Sequence, residues 1–168
     1  MEPTLRLETP EDADAIHDVV VQAFLTAPHT SGTEAFIVRE LRAAGVLTVS
    51  LVADAQGAVV GHVAISPVTI SDGSPHWYGL GPVAVRPSGQ RLGTGRRLIE
   101  EALDRLRRLG AAGCVVLGEP EYYGRFGFRA DPRLVLEGVP PQYFQALRFR
   151  DARAQGVVTY HPAFEAHA

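Results

Sequence analysis

Lysine and asparagine are absent from this 168-residue sequence, and cysteine occurs once, at Cys114. Without lysine there is no Walker phosphate loop and no self-acetylation on a lysine amine. Without asparagine, Asn-linked glycosylation is excluded. A single cysteine rules out an internal disulfide and a cysteine-based metal cluster. Its neighbours Gly113, Val115, Val116 and Leu117 predict a thiol buried in a strand, where free cysteine behaves as a small apolar side chain. Long apolar runs are missing too: no stretch of 18 apolar residues appears, and residues 1–12 are acidic with no apolar signal core. The expectation is a cytoplasmic protein with no membrane partner.

The net charge of −3 makes no broad electrostatic footprint for nucleic acid. One basic helix face, with Arg96, Arg97, Arg105, Arg107 and Arg108, is interrupted by Glu100, Glu101 and Asp104, so no nucleic-acid partner is expected. All 16 basic residues are arginine, a bias that fits a GC-rich bacterial coding sequence. With 46% hydrophobic and 21% charged residues the chain is balanced for folding, and at this length one domain hides roughly two-thirds of the unfolded surface.

Along the chain, 4–8 alternates like a short strand. Thr9, Pro10, Glu11 and Asp12 then supply a helix N-cap, an N1 proline and early acids. Ile16, Val19, Val20, Ala23 and Phe24 recur at helical spacing up to a break at Ala27 and Pro28. A second helix fits 34–44 and stops at Gly45. The β-rich runs 46–53 and 59–70 flank the hairpin turn 54–57, and 76–85 reads as a third strand of the meander. Gly79, Gly81 and Pro82 inside it predict a bulge or a close backbone approach. Leu98, Ile99, Ala102, Leu103, Leu106 and Leu109 mark a long amphipathic helix, and 113–117 is a short apolar strand. The strand, helix, strand order predicts a parallel crossover pair. Beyond it, 122–126 could form one helical turn, and 144–149 and 156–160 could form strands able to pair across a two-fold axis in a homodimer.

The segment 83–97 is a strand feeding a glycine-rich turn that opens the long helix. Unpaired amides and the positive end of the helix dipole make an anion site there, and glycines let a phosphate approach the main chain. The turn follows an antiparallel meander and lacks the third glycine of a dinucleotide fingerprint. Gln90-Arg91-Leu92-Gly93-Thr94-Gly95 instead matches the pyrophosphate loop Q/R-x-x-G-x-G/A, and the region resembles the GNAT superfamily of acyl-CoA-dependent N-acyltransferases. A second match, Tyr123-Gly124-Arg125-Phe126-Gly127-Phe128, resembles that family's Y-x-x-x-G-F signature. With 80–85, 122–128 and the closing Val158-Thr159-Tyr160-His161-Pro162-Ala163-Phe164, the likeness spans nearly the whole chain and points to the YhbS-like branch.

This resemblance implies an α/β fold of the α+β type, GNAT-like, as one domain over 1–168: a mixed central sheet with splayed strands 4 and 5, flanked by helices. It implies acetyl-CoA as acyl donor, no metal, and a small-molecule or peptide amine as acceptor. Gln90, Arg91, Leu92, Gly93, Thr94, Gly95 and Arg96 would cradle the CoA pyrophosphate, with Arg97 as a further phosphate cation, and Val83 and Val85 would pair with the pantetheine arm. The N–H of Val83 would polarise the thioester carbonyl. Tyr123, or Tyr122 in its stead, would protonate the leaving thiolate, since a phenol with a pKa of about 10 is protonated at neutral pH. The strand position that carries a catalytic glutamate in some members falls on Gly79, which leaves His62, His76, Glu34 and Glu119 as alternative bases. The common asparagine after the fifth strand is also missing, because Leu117-Gly118-Glu119-Pro120 leads straight into Tyr122. The acceptor pocket is expected from the first two helices, the loop 71–77 and the C-terminal segment. There Glu34 and Glu119 would attract a cation, or Trp77, Tyr143 and Phe144 would form apolar walls. A non-catalytic acyl-CoA sensor, a longer acyl donor and ester formation are the competing readings.

Overall fold

The computed structural model of the chain describes residues 2–25, 32–90 and 92–166; the expected break at Ala27 and Pro28 lies outside them. Strand β1 (Thr4–Leu7) and a 3-10 turn, Pro10–Asp12, lead into α1 (Ala13–Phe24). Thr9 takes the N-cap position and Pro10 the first helical position, as expected, and a capping box forms. Thr9 is a donor here, through its main-chain N–H (2.7 Å) and its hydroxyl (3.2 Å), and the Asp12 carboxylate accepts both. Arg6 grips the same carboxylate at 2.7 and 3.0 Å, and this charge-assisted pair holds the Asp12 pKa down at about 2.

Helix α2 (Glu34–Ala43) precedes the meander β2 (Val49–Ala55), β3 (Ala58–Ile70) and β4 (Trp77–Val85), whose first turn is closed by Asp54 accepting from the Gly57 N–H at 2.7 Å. Helix α3 (Thr94–Arg108) crosses over to β5 (Gly113–Leu117), which pairs parallel to β4 as the order of elements predicts. The chain closes with α4 (Pro120–Tyr123), β6 (Arg129–Ala130), β7 (Leu134–Val135), β8 (Phe144–Arg148) and β9 (Gly156–Tyr160). The strand order is β1-β2-β3-β4-β5-β8-β6, with β9 paired to β3 and β7. The two C-terminal strands anticipated from sequence thus find their partners within the chain: β8 on β5, and β9 on the far end of the long β3, beyond its ladder with β2.

One face of the sheet carries α3. Its Leu98, Ile99, Ala102, Leu103 and Leu106 are buried against Leu51, Val63, Ile65 and Val116, and each fully buried leucine or isoleucine contributes about 1.5–3 kcal/mol. The other face carries α1 and α2 over Val52, Val59 and Ala84, and its far end is covered by the loops around β7, β8 and β9. Among the described residues no helix is long and apolar enough to cross a membrane.

Two irregularities in β4 position everything that follows. Its parallel ladder with β5 is confined to Trp77, Tyr78 and Gly79 opposite Gly113, Cys114 and Val115; beyond it the two strands part, while β5 stays paired with β8 on its other edge as far as Leu117. On the other edge the register with β3 jumps from Val63 opposite Val83 to Ile65 opposite Leu80, so Gly81 and Pro82 bulge out. The short ladder depends on Gly113, because a Cβ there would strike the Trp77 ring. Trp77 is buried and held by its indole N–H on Asp151 at 3.1 Å. We expect Gly113→Ala to destabilise the fold by about 1–3 kcal/mol through overpacking, read as a lower denaturation midpoint, whereas Gly124→Ala, in a right-handed helical conformation with open space around it, should cost less.

Candidate active site

The turn after β4 is built as the sequence suggests. Gly93 sits at the helix N-cap in a left-handed conformation (φ 84°), which favours glycine, and its main-chain oxygen accepts from Arg97 at 3.0 Å. A Cβ at Gly93 would meet nothing within 4 Å, so the main chain borders open space. A cavity of about 450 Å³ lies there, lined by Val85, Gly89, Gln90, Gly93, Gly95, Arg96, Tyr122 and Arg125. The Gln90 amide donates to the Val85 carbonyl at 2.9 Å and ties the turn to the strand. The dipole of α3, Arg96 and Arg125 together give this cavity a positive end.

Not every expected residue faces it. Leu92 is exposed outside the cavity, Thr94 turns its side chain inward and is buried, and Arg97 reaches away to the Pro3 carbonyl at 2.9 Å. Arg91 lies outside the described residues. Arg125, missed from sequence, stands over the Tyr122 ring at 4.6 Å. Its signal was present: it follows Tyr122 by three residues, the spacing that brings side chains together on a helical turn. Tyr122 therefore belongs to the positive cavity.

A second cavity, about 480 Å³, opens where β4 leaves β5. Leu80, Gly81, Pro82 and Val83 form one wall with Leu117 and Tyr123; Phe24, Glu34, Ile37, Leu136, Tyr160 and Phe164 close it. Strand β4 links the two cavities. The Arg86 N–H donates to Val60 on β3, so by the alternation of an antiparallel ladder the N–H groups of Val83 and Val85 point the other way, into the gap left by β5. Tyr123 packs edge-on against Tyr122 and Phe128 at centroid distances of 5.0 and 6.1 Å. Gly118 makes room for its ring, since a Cβ there would collide with it. Burial, with a smaller contribution from Tyr122, pushes the Tyr123 phenol up to about 12.

The candidate bases separate by position. His62 is fully buried, contacts the Ser50 hydroxyl at 2.7 Å, and burial pushes its pKa down; it is a neutral core histidine away from the cavity. His76 is exposed in the turn before β4, and Glu119 is exposed, with its main-chain oxygen accepting from the Tyr122 and Tyr123 N–H groups. Neither lines the cavity, and Glu34 does. The first two helices and the C-terminal segment supply walls as expected. The loop 71–77 does not, because Ser71 and Asp72 instead hold Val157 and Gln155 at 2.8 and 2.9 Å. Trp77 is core, Tyr143 is exposed, and Phe144 faces a separate groove beside Leu134. Cys114 is buried and its thiol is pushed far above the usual range. Among the described residues no group of His, Cys, Asp and Glu could hold a metal ion.

Comparison with known proteins identifies the family. Residues 13–128 match the Acetyltransferase (GNAT) family. The uncharacterized N-acetyltransferase YhbS of Escherichia coli strain K12 is 38% identical, with 95% of this chain and 97% of that protein aligned. Among solved structures, a GNAT family acetyltransferase from Brucella melitensis in complex with acetyl-CoA superposes with a TM-score of 0.86 at 46% identity, covering 96% of this chain and 97% of that one. Escherichia coli YhbS in complex with CoA superposes with a TM-score of 0.90 at 35% identity, covering 100% and 94%. From its sequence, its parted β4 and β5 and its glycine turn alike, this chain belongs to the GNAT family of acetyltransferases.

Proposed function

We propose that the protein transfers an acetyl group from acetyl-CoA to a small-molecule or peptide amine by direct attack on the thioester. The observation that carries this reading is the continuity of one strand edge: β4 leads from a positive cavity at a helix N-terminus to an apolar cavity holding a phenol. The residues present fit the donor. The amides around Gly93 and Gly95, with Arg96 and Arg125, suit a diphosphate, and the outward N–H groups of Val83 and Val85 suit an extended arm of amides lying in the gap. The crystallised relatives bound to acetyl-CoA or CoA support the same assignment.

In this reading the Val83 N–H donates to the thioester oxygen and stabilises the charge that develops there. The amine nitrogen attacks the carbonyl carbon, the C–N bond forms, and the C–S bond breaks. The Tyr123 phenol gives its proton to the departing thiolate, and the proton lost by the amine passes to solvent and restores the phenol. Because burial raises the Tyr123 pKa, the acid stays protonated through the pH range in which amines are free, and is lost only as pH rises through about 12.

The first test is calorimetric titration with acetyl-CoA, with ATP and NADH as controls; saturable binding of acetyl-CoA alone is expected, and its absence would discard the reading. Gly93→Glu should weaken that binding by at least about tenfold, because a side chain in the left-handed conformation costs roughly 1–2 kcal/mol and its carboxylate repels the diphosphate. Arg125→Ala should weaken it by about tenfold, the loss of one charge-assisted contact. Tyr123→Phe should lower kcat by about 10²-fold or more with the acetyl-CoA dissociation constant unchanged; full turnover in this variant would remove Tyr123 as the acid.

A further inference from the structure

The apolar cavity contains an anomaly that acetyl transfer from CoA does not by itself explain. The Tyr160 hydroxyl is shielded from solvent and has no hydrogen-bond partner among the described residues, although its residue lines the cavity together with Val83 and Tyr123. Pairing of β9 with β3 sets Tyr160 opposite Val68. The ring then leans over Gly79, where a Cβ would come within 2.9 Å of it, and its other side meets Phe164 at a centroid distance of 4.8 Å. Ser66 lies opposite Gly79, two residues from Val68 on the same face of β3, and its buried hydroxyl is also unpartnered. A buried hydroxyl without a partner carries an uncompensated desolvation cost. A phenylalanine would fill the same slot without that cost, so an orphan hydroxyl on a side chain that lines a cavity calls for a ligand partner.

The surrounding walls narrow what that partner is. Phe24, Ile37, Leu136 and Phe164 are apolar, and Glu34 is the one charged side chain among the described lining residues. A multiply charged amine would have to leave cationic groups unpaired against hydrocarbon, which is costly.

We propose that the acceptor is a monoamine carried on an apolar body, and that the Tyr160 hydroxyl accepts a hydrogen bond from its nitrogen and turns the lone pair toward the carbonyl held at Val83. The inference rests on the acetyltransferase reading above. Burial pushes the Tyr160 phenol far above its usual range, so the hydroxyl orients the neutral amine and does not remove its proton. Gly79, with no side chain, leaves the slot in which ring and amine meet.

The test uses the full chain with saturating acetyl-CoA and follows CoA release with a thiol reagent; the buried Cys114 contributes no background. The probes are n-hexylamine and 2-phenylethylamine against ethanolamine and spermidine. The apolar amines should show a KM at least about tenfold lower, given about 0.8 kcal/mol per buried methylene. Tyr160→Phe should raise the n-hexylamine KM by about 3- to 10-fold, with acetyl-CoA affinity unchanged and the thermal midpoint equal or higher. A merely structural tyrosine would give the opposite, a lower midpoint with an unchanged KM. The proposal is overturned by an unchanged KM in Tyr160→Phe, by preference for spermidine or ethanolamine, or by no acceleration from either apolar amine in a protein that binds acetyl-CoA. Faster turnover of hexanoyl-CoA than of acetyl-CoA would give the cavity to the acyl chain and overturn it too. Failure of the wild-type protein to bind acetyl-CoA is a different result, since it removes the acetyltransferase reading and this inference with it.

Discussion

The parting of β4 from β5 after Gly79 is the constraint on which the rest of the molecule depends. Parallel neighbours in a sheet normally consume each other's main-chain groups along their length. Here the shared ladder ends after three residues of β4, and the N–H groups of Val83 and Val85 are left facing a gap. The bulge at Gly81 and Pro82 sharpens this effect. Proline has no N–H to leave unpaired, and an extra residue on β4 turns the strand out of plane exactly one step before Val83. A surface that would be a liability as an open sheet edge can serve as a template for an extended ligand.

The helices hold that template in place from both sides. The buried stripe of α3 clamps its N-terminus at the end of β4, so the dipole and the glycine turn meet the gap at a fixed point. On the opposite face, Glu8 joins α2 to the sheet: it binds Arg42 at 2.8 and 3.0 Å and accepts from Ser50, which in turn contacts His62. Against the cost of burial, the His62 imidazole 3.8 Å away and the hydrogen bonds from Arg42 and Ser50 keep the Glu8 carboxylate charged well below the usual range. His62 thereby has a structural occupation, fixing the helix that delivers Glu34 and Ile37 to the apolar cavity. The same polar knot that removes it from the list of bases aligns the helix side of the apolar cavity.

Much of this was legible in the residues because it depends on local chemistry. Glycines 93 and 95 before an apolar helical period specify an open helix N-terminus. Gly81 and Pro82 inside a β-rich run specify an interrupted ladder. The strand, helix, strand order specifies a parallel crossover. Each of these is a statement about neighbours within a few residues or about handed connections, and the folded chain repeats them. The turn and its open helix end follow from such statements, whereas the side chains of Leu92, Thr94 and Arg97 do not line the cavity there, and Arg125 joins Gly93 and Gly95 on its wall from a segment 30 residues further along the chain.

What the sequence by itself determined, then, is the sheet meander, the glycine turn and the family to which they belong. The apolar cavity was decided by tertiary structure alone. Whether Tyr160 meets Gly79 depends on β9 joining β3 beyond the end of β2, and whether His62 is a base or a core residue depends on which face of β3 the helices cover. Propensity and periodicity describe how a segment folds on itself. They carry no information about which distant segment completes a cavity, because that choice is made by packing between elements whose separation along the chain leaves no local trace.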